Sequence, residues 1–118
     1  METVVSGIRS TGALHLGNYF GAISNYVKMQ NEFDCYFMVA DLHSLTTHPD
    51  TAELKKNVQR VLAENIACGL DPDKAAFYCQ SHIYETSELY LYLNMLAYMG
   101  ELEKTTTFKE KARQQPDN

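Results

Sequence analysis

The residues best suited to chemistry lie in one run near the N-terminus, Gly12-Ala-Leu-His-Leu-Gly-Asn-Tyr-Phe-Gly21. Upstream, Thr3, Val4 and Val5 read as a short buried strand. Downstream, an amphipathic pattern starts at Tyr19, so His15 to Asn18 fall at a helix N-terminus. Such a terminus is an anion site. Its first N–H groups lack intrahelical partners and its dipole is positive there, so phosphate oxygens are attracted without any lysine. His15 and Asn18 add side-chain donors. Gly17 allows a flat ring or a ribose to approach the backbone, and Gly7 and Gly12 permit tight turns around the loop. A histidine between apolar residues in a glycine-bracketed loop is better explained by a ligand than by a helix start. Asn18 is also a favoured N-cap, and capping and ligand binding can coexist in one side chain. Helix-to-strand packing is a second reason for Gly17 and Gly21.

Two further polar residues follow an apolar run. Cys35 to Ala40 is uninterrupted, the pattern of a parallel strand covered on both faces, and it stops at Asp41 and His43. Open α/β sheets place ligands at the carboxyl ends of their strands, so Asp41 and His43 are expected to face the same crevice as His15. On sequence alone His43 reads equally well as a satisfied polar residue or as a ligand contact. The spacing of Cys35, His43 and His48 fits no recurrent zinc pattern, and His48 and His82 read as surface or turn residues.

The elements that must position these groups are legible in outline. Tyr19, Ala22, Ile23, Tyr26 and Val27 give a helical stripe ending near Asn31. Asp50 with Glu53 makes a capping box for a structural helix whose stripe is Leu54, Val58, Val61, Leu62 and Ile66, closed by Gly69. Leu70-Asp-Pro-Asp73 is a turn, and Ala76 to Gln80 reads as a third strand, giving the order βαβαβ. Thr86 or Ser87 caps a further helix through Met99, stopped by Gly100 and apolar on every face. That helix needs partners on each side and reads as core or as a dimer interface. From Glu101 the chain is polar, and Lys109 and Lys111 look like a solvated helix face.

Composition narrows the class. With 118 residues and 45% hydrophobic content the chain can bury one core, so a single domain over residues 1–118 is expected. A net charge of -5 argues against a sequence-independent grip on nucleic acid. Three cysteines without C-x-x-C spacing suit small core residues in a reducing compartment. No apolar run approaches a membrane span and no signal-peptide layout is present, so the cytoplasm is expected, with no membrane partner.

The loop fits neither G-x-G-x-x-G nor the G-K-[ST] ending of a P-loop. It resembles the His-Ile-Gly-His signature of class I aminoacyl-tRNA synthetases, here His15-Leu16-Gly17-Asn18. The likeness extends over Ser6-Gly7-Ile8, Thr11-Gly12, Leu16-Gly17-Asn18-Tyr19, Gly21-Ala22, Cys35-Tyr36-Phe37, Asp41 and His43. Gly100-Glu101-Leu102-Glu103 and Phe108-Lys109-Glu110-Lys111 carry it to the far end. Together these resemble the bacterial tryptophanyl-tRNA synthetases, and the Leu-Gly-Asn-Tyr form separates them from the related tyrosyl enzymes.

The resemblance implies an α/β fold, the first βαβαβ half of a Rossmann-like parallel sheet with flanking helices. It implies that the parent joins tryptophan to ATP, releases pyrophosphate and charges tRNA(Trp), with Mg2+ travelling with ATP and a homodimer as the assembly. Arg9, Ser10, Thr11, His15, Gly17 and Asn18 would bind ATP. His15, Asn18 and Lys111 would act on the phosphates, and Val5, Gly7 and His43 would border the amino acid. Val5 stands where the family often has an aromatic, and Arg9 where it often has a glutamine. The family's aspartate for the indole nitrogen, its Gly-x-Asp-Gln stretch and its Lys-Met-Ser-Lys-Ser loop would lie beyond residue 118. Two other readings stay open: another nucleotidyltransferase with a His-x-Gly-His-type loop, and a non-catalytic nucleotide-binding or dimerisation module.

Overall fold

The computed structural model describes residues 1–10, 15–47 and 50–114, with the side chain of Gln114 left aside. Thr11, Gly12 and His48 therefore lie outside the described residues. The chain divides into two compact units, Met1–Ile83 and Tyr84–Asn118.

The first unit is a three-stranded parallel sheet in the order β1-β2-β3, with β1 Thr3–Arg9, β2 Asp34–Ala40 and β3 Ala75–Cys79. Helix α1 (16–29) joins β1 to β2. It runs without a break from Leu16–Asn18 through a wide π-helical turn, Tyr19–Ile23, to Ser24–Met29. After β2 come the short helix α2, Asp41–Ser44, and a 3-10 turn, Leu45–Thr47; helix α3, Thr51–Ala67, then leads to β3.

Register decides which residues form the core. Val5 pairs with Tyr36, Ser6 with Phe37 and Gly7 with Met38, while Cys35 pairs with Ala75 and Phe37 with Phe77. Side chains alternate along a strand, so Val4, Cys35, Phe37, Val39, Ala75 and Cys79 share one face. On that face Tyr26 of α1 stacks on Phe37, centroids 4.1 Å apart and planes 17° apart, and joins Cys35, Leu70 and Ala75 in the core. Two right-handed crossovers along one sheet direction put α1 and α3 on the same face. The other face is open: Val5 is 64% exposed and Tyr36 40%.

Turn chemistry locks the layers. Gly69, at φ 108°, ends α3 in the left-handed region. The Leu70 N–H bonds to the Asn65 carbonyl and the Gly69 N–H to the Ile66 carbonyl, a Schellman pair. The buried Gln30 amide then clamps the turn, donating to the Gly69 carbonyl at 3.0 Å and accepting from the Asp71 N–H at 2.8 Å. Asp50 caps α3 through the Ala52 N–H. Glu53 pairs with Lys56 at 3.0 Å, in place of the return bond of a capping box. Asn65, outside the expected apolar stripe, is fully buried.

The second unit consists of α4 Tyr84–Leu96, α5 Met99–Leu102 and α6 Thr106–Gln114. The apolar helix starts before Thr86 and stops at Leu96, because Tyr98 is extended and opens a new helix. Gly100, the expected stop, lies inside α5. The stretch around Lys109 and Lys111, read as a solvated helix face, is helical in α6, where Lys, Glu, Ala and Arg are strong helix formers.

Candidate functional site at the strand ends

The start of α1 is built by two residues that satisfy each other. His15 is the N-cap; its Nδ1 accepts the Asn18 N–H at 3.3 Å, and the Asn18 Oδ1 accepts the His15 N–H at 3.2 Å. The N-cap is therefore His15, and Asn18 closes the box from the third helical position. This fixes the chemistry of both side chains. An Nδ1 that accepts a hydrogen bond belongs to an imidazole carrying its proton on Nε2, so a donor remains. With Oδ1 engaged, the Asn18 amide nitrogen is turned away and also remains a donor. The first N–H groups of the helix, at Leu16 and Gly17, have no carbonyl one turn earlier within it. All four residues from His15 to Asn18 are exposed.

Three of the glycines have three different surroundings. A Cβ on Gly17 would sit 3.0 Å from Cε1 and Nδ1 of His15, so this glycine makes room for the capping imidazole. Gly7 is mid-strand, not in a turn, and a Cβ there would meet Met38 at 3.0 Å. At Gly21 a Cβ would meet nothing within 4 Å, so packing does not explain it.

Hydrogen bonds centred on α2 tie the carboxyl ends of the three strands together. The Ser10 N–H and Oγ reach the Ser44 Oγ at 3.1 and 2.9 Å, and the Ser44 hydroxyl donates to the Ala40 carbonyl at 2.9 Å. Asp41 accepts from the Ser81 N–H at 3.0 Å and from the Ser81 hydroxyl, and its Oδ1 also takes the Leu42 N–H. The His43 N–H donates to Gln80 Oε1 at 3.2 Å, which leaves an exposed imidazole on a backbone held from the turn that follows β3. Ser10 itself is 1% exposed, so its hydroxyl holds the end of β1. Ser44, Gln80 and Ser81 were not singled out by sequence. Their partners are distant in the chain, and no local pattern marks them.

Two cavities flank these ends. One of about 250 Å³ is lined by Gly7, Ile8, Arg9, Asn18 and Ala22, which brings the exposed Arg9 beside the helix start. The other, of about 560 Å³, lies along α3, with Leu54, Val58 and Leu62 opposite Asp41, Cys79 and Ser81. Asp41 lines this second cavity and Asn18 the first. Burial raises the Cys79 thiol above its usual value, and the Asp41 charge adds to this; burial does the same for Cys35, with Asp34 adding to it. Val5 is exposed on the open sheet face, and Lys111 is exposed on α6. Among the described residues no group of three or more His, Cys, Asp or Glu could hold a metal ion.

A parallel sheet with a capped helix start and a cationic side chain at its carboxyl edge is an α/β fold of Rossmann-like type. Over residues 1–118 the chain matches the model of the tRNA synthetases class I (W and Y), and it belongs to that family. It is 64% identical over 118 residues to tryptophan–tRNA ligase of Porphyromonas gingivalis, covering 100% of this chain and 36% of that protein. With tryptophan–tRNA ligase of Rickettsia typhi it is 49% identical over 111 residues, 94% of this chain and 34% of that one. The crystal structure of tryptophanyl-tRNA synthetase from Campylobacter jejuni complexed with ADP and tryptophan superposes with a TM-score of 0.87. That match has 35% identity and covers 97% of this chain and 35% of that one. The chain therefore spans about a third of the length of these relatives.

Proposed function

We propose that residues 1–118 are the N-terminal part of the catalytic domain of a tryptophan–tRNA ligase. The whole protein would join tryptophan to the α-phosphate of ATP, release pyrophosphate and transfer the tryptophanyl group to tRNA(Trp) in the cytoplasm. The carrying observation is the reciprocal His15–Asn18 cap beside the Arg9 cavity. The names of the relatives and the ADP and tryptophan complex support the substrate pair.

In this reading the ATP phosphates lie at the start of α1. His15 Nε2–H, the Asn18 amide and the free first-turn N–H groups donate to phosphate oxygens as charge develops on them, and Arg9 adds positive charge. Such donors are oriented before the reaction, so no covalent nucleophile is required. Gly17 lies under the adenosine side, and Thr11 contacts ATP by resemblance alone. Ser10 contributes by holding the chain where it leaves β1. Val5, Gly7 and His43 border the amino acid, and Lys111 acts near the phosphates in the assembled site. Magnesium would arrive bound to the ATP phosphates, since this hard ion keeps few protein ligands. The protein would act as a homodimer through the apolar surface of α4.

The test is His15→Ala in the full-length ligase, followed by tryptophan-dependent pyrophosphate exchange. A fall in kcat on the order of a hundredfold, with a smaller change in tryptophan affinity, is expected from loss of an oriented donor. An unchanged kcat would reject the assignment.

A further inference from the structure

Ser44 is fully buried, and its hydroxyl is used completely inside the protein. It accepts the Ser10 N–H at 3.1 Å and the Ser10 Oγ–H at 2.9 Å, and it donates to the Ala40 carbonyl at 2.9 Å. A hydroxyl has one proton and two lone pairs, so no capacity is left for a ligand. Two of the three bonds, those to Ser10, span thirty-four residues, and the third reaches back four residues to the end of β2. Ser10 follows the last residue of β1 and leads in sequence to His15; Ala40 is the last residue of β2; Ser44 ends α2.

The need for this acceptor follows from where β1 ends. The strand ladder stops at the Arg9–Ala40 pair, so the buried N–H of Ser10 has no strand partner left. A buried N–H without an acceptor is costly, and Ser44 supplies one. The same helix holds the end of β3 through Asp41 and Ser81, so α2 fixes β1 against β2 and β3 together.

We infer that Ser44 is a positioning residue for the phosphate site: its buried hydroxyl fixes where the chain leaves β1 and so where the His15–Asn18 cap is presented, without touching the nucleotide. The ATP part of this inference rests on the proposed function; the part that concerns Ser10 does not.

The test uses the 118-residue chain with Ser44→Ala, Ser44→Cys and Ser10→Ala. Amide exchange is read at Ser10 and along β1, and magnesium ATP is titrated into each protein. Ser44→Ala removes the acceptor that the Ser10 N–H has among the described residues, so exchange at Ser10 should rise at least about tenfold while Val4 to Ile8 stay protected. ATP should bind about tenfold more weakly, as expected for one misplaced set of donors. Ser10→Ala keeps its N–H on Ser44 and should weaken ATP only about two- to threefold, a fraction of a neutral hydrogen bond. If Ser44→Ala does not fold, Ser44→Cys preserves the shape with a weaker acceptor and should still speed exchange at Ser10. Unchanged exchange at Ser10 in the folded Ser44 variant overturns the inference, as does ATP binding equal to that of the unsubstituted chain. If the unsubstituted chain binds no ATP, the proposed function fails for this segment, and exchange at Ser10 still decides whether Ser44 positions it.

Discussion

A methyl group at residue 17 would land on the ring that caps its own helix. Gly17→Ala should displace the His15 imidazole, since Cε1 and Nδ1 would both lie 3.0 Å from the new Cβ. Alanine also favours a helix over glycine by about 1 kcal/mol, so the variant should lose ATP affinity about tenfold without losing thermal stability. Gly21→Ala meets open space and should gain stability with ATP affinity unchanged. Titration and melting curves of the two variants check this, and equal ATP affinity in both would show that the ring position is irrelevant. The buried thiols set a pH limit. Burial raises Cys79, so the folded state holds that proton more tightly than the unfolded chain. Its contribution is complete below the usual thiol value and is lost as pH rises through the folded one. Urea unfolding at increasing alkaline pH should show stability falling less steeply in Cys79→Ala than in the parent; equal slopes would remove Cys79 from the account. At this scale the sequence placed His15 and Asn18 together at a helix start, because both fall in one helical turn. It misassigned the cap, because asparagine is a common N-cap and histidine is not. The Ser10–Ser44 contact has no local signature at all.

The elements were legible where pattern and turn chemistry agreed. β2 was readable to within a residue because an apolar run ends at polar residues, and α3 because Asp50 and Gly69 mark its ends. The boundaries of α4 were not, since a helix apolar on every side has no phase from which to read its ends. α6 was legible only as a solvated face around Lys109 and Lys111, because its composition is polar and its bounds carry no cap signal. The wide turn in α1 leaves no mark in a stripe that still reads as an ordinary helix. Gly69 offers a measure of how much a turn signal contributes. Its absent Cβ would contact Val27 at an ordinary 3.5 Å, so the cost of Gly69→Ala is backbone conformation and not a clash. A loss on the order of 1–2 kcal/mol in urea denaturation is expected for a side chain forced to positive φ. A loss under about 0.3 kcal/mol would mean that the turn relaxes freely.

On the scale of the molecule, the homodimer proposed above would use the exposed apolar surface of α4. Leu89, Tyr90, Leu91, Tyr92, Leu93, Met95 and Leu96 of α4 are all more than half exposed, and Tyr98 is 75% exposed. Contiguous patches of this kind are rare on monomers and mark contact surfaces. Symmetric dimers are the commonest soluble assembly, and a helix can meet its own copy across a two-fold axis with one self-complementary face. Aromatic residues near the centre of such a contact carry most of its energy, which makes Tyr90 and Tyr98 the points to charge. Sedimentation of the 118-residue chain should give a monomer–dimer equilibrium, and Tyr90→Glu with Tyr98→Glu should shift it at least about a hundredfold toward monomer, because two carboxylates would have to be desolvated. Melting of the parent should rise with protein concentration, since a folded dimer draws the equilibrium by mass action, while melting of the double variant should not. A parent that stays monomeric at high concentration, with a melting point independent of concentration, would leave α4 without the role proposed for it.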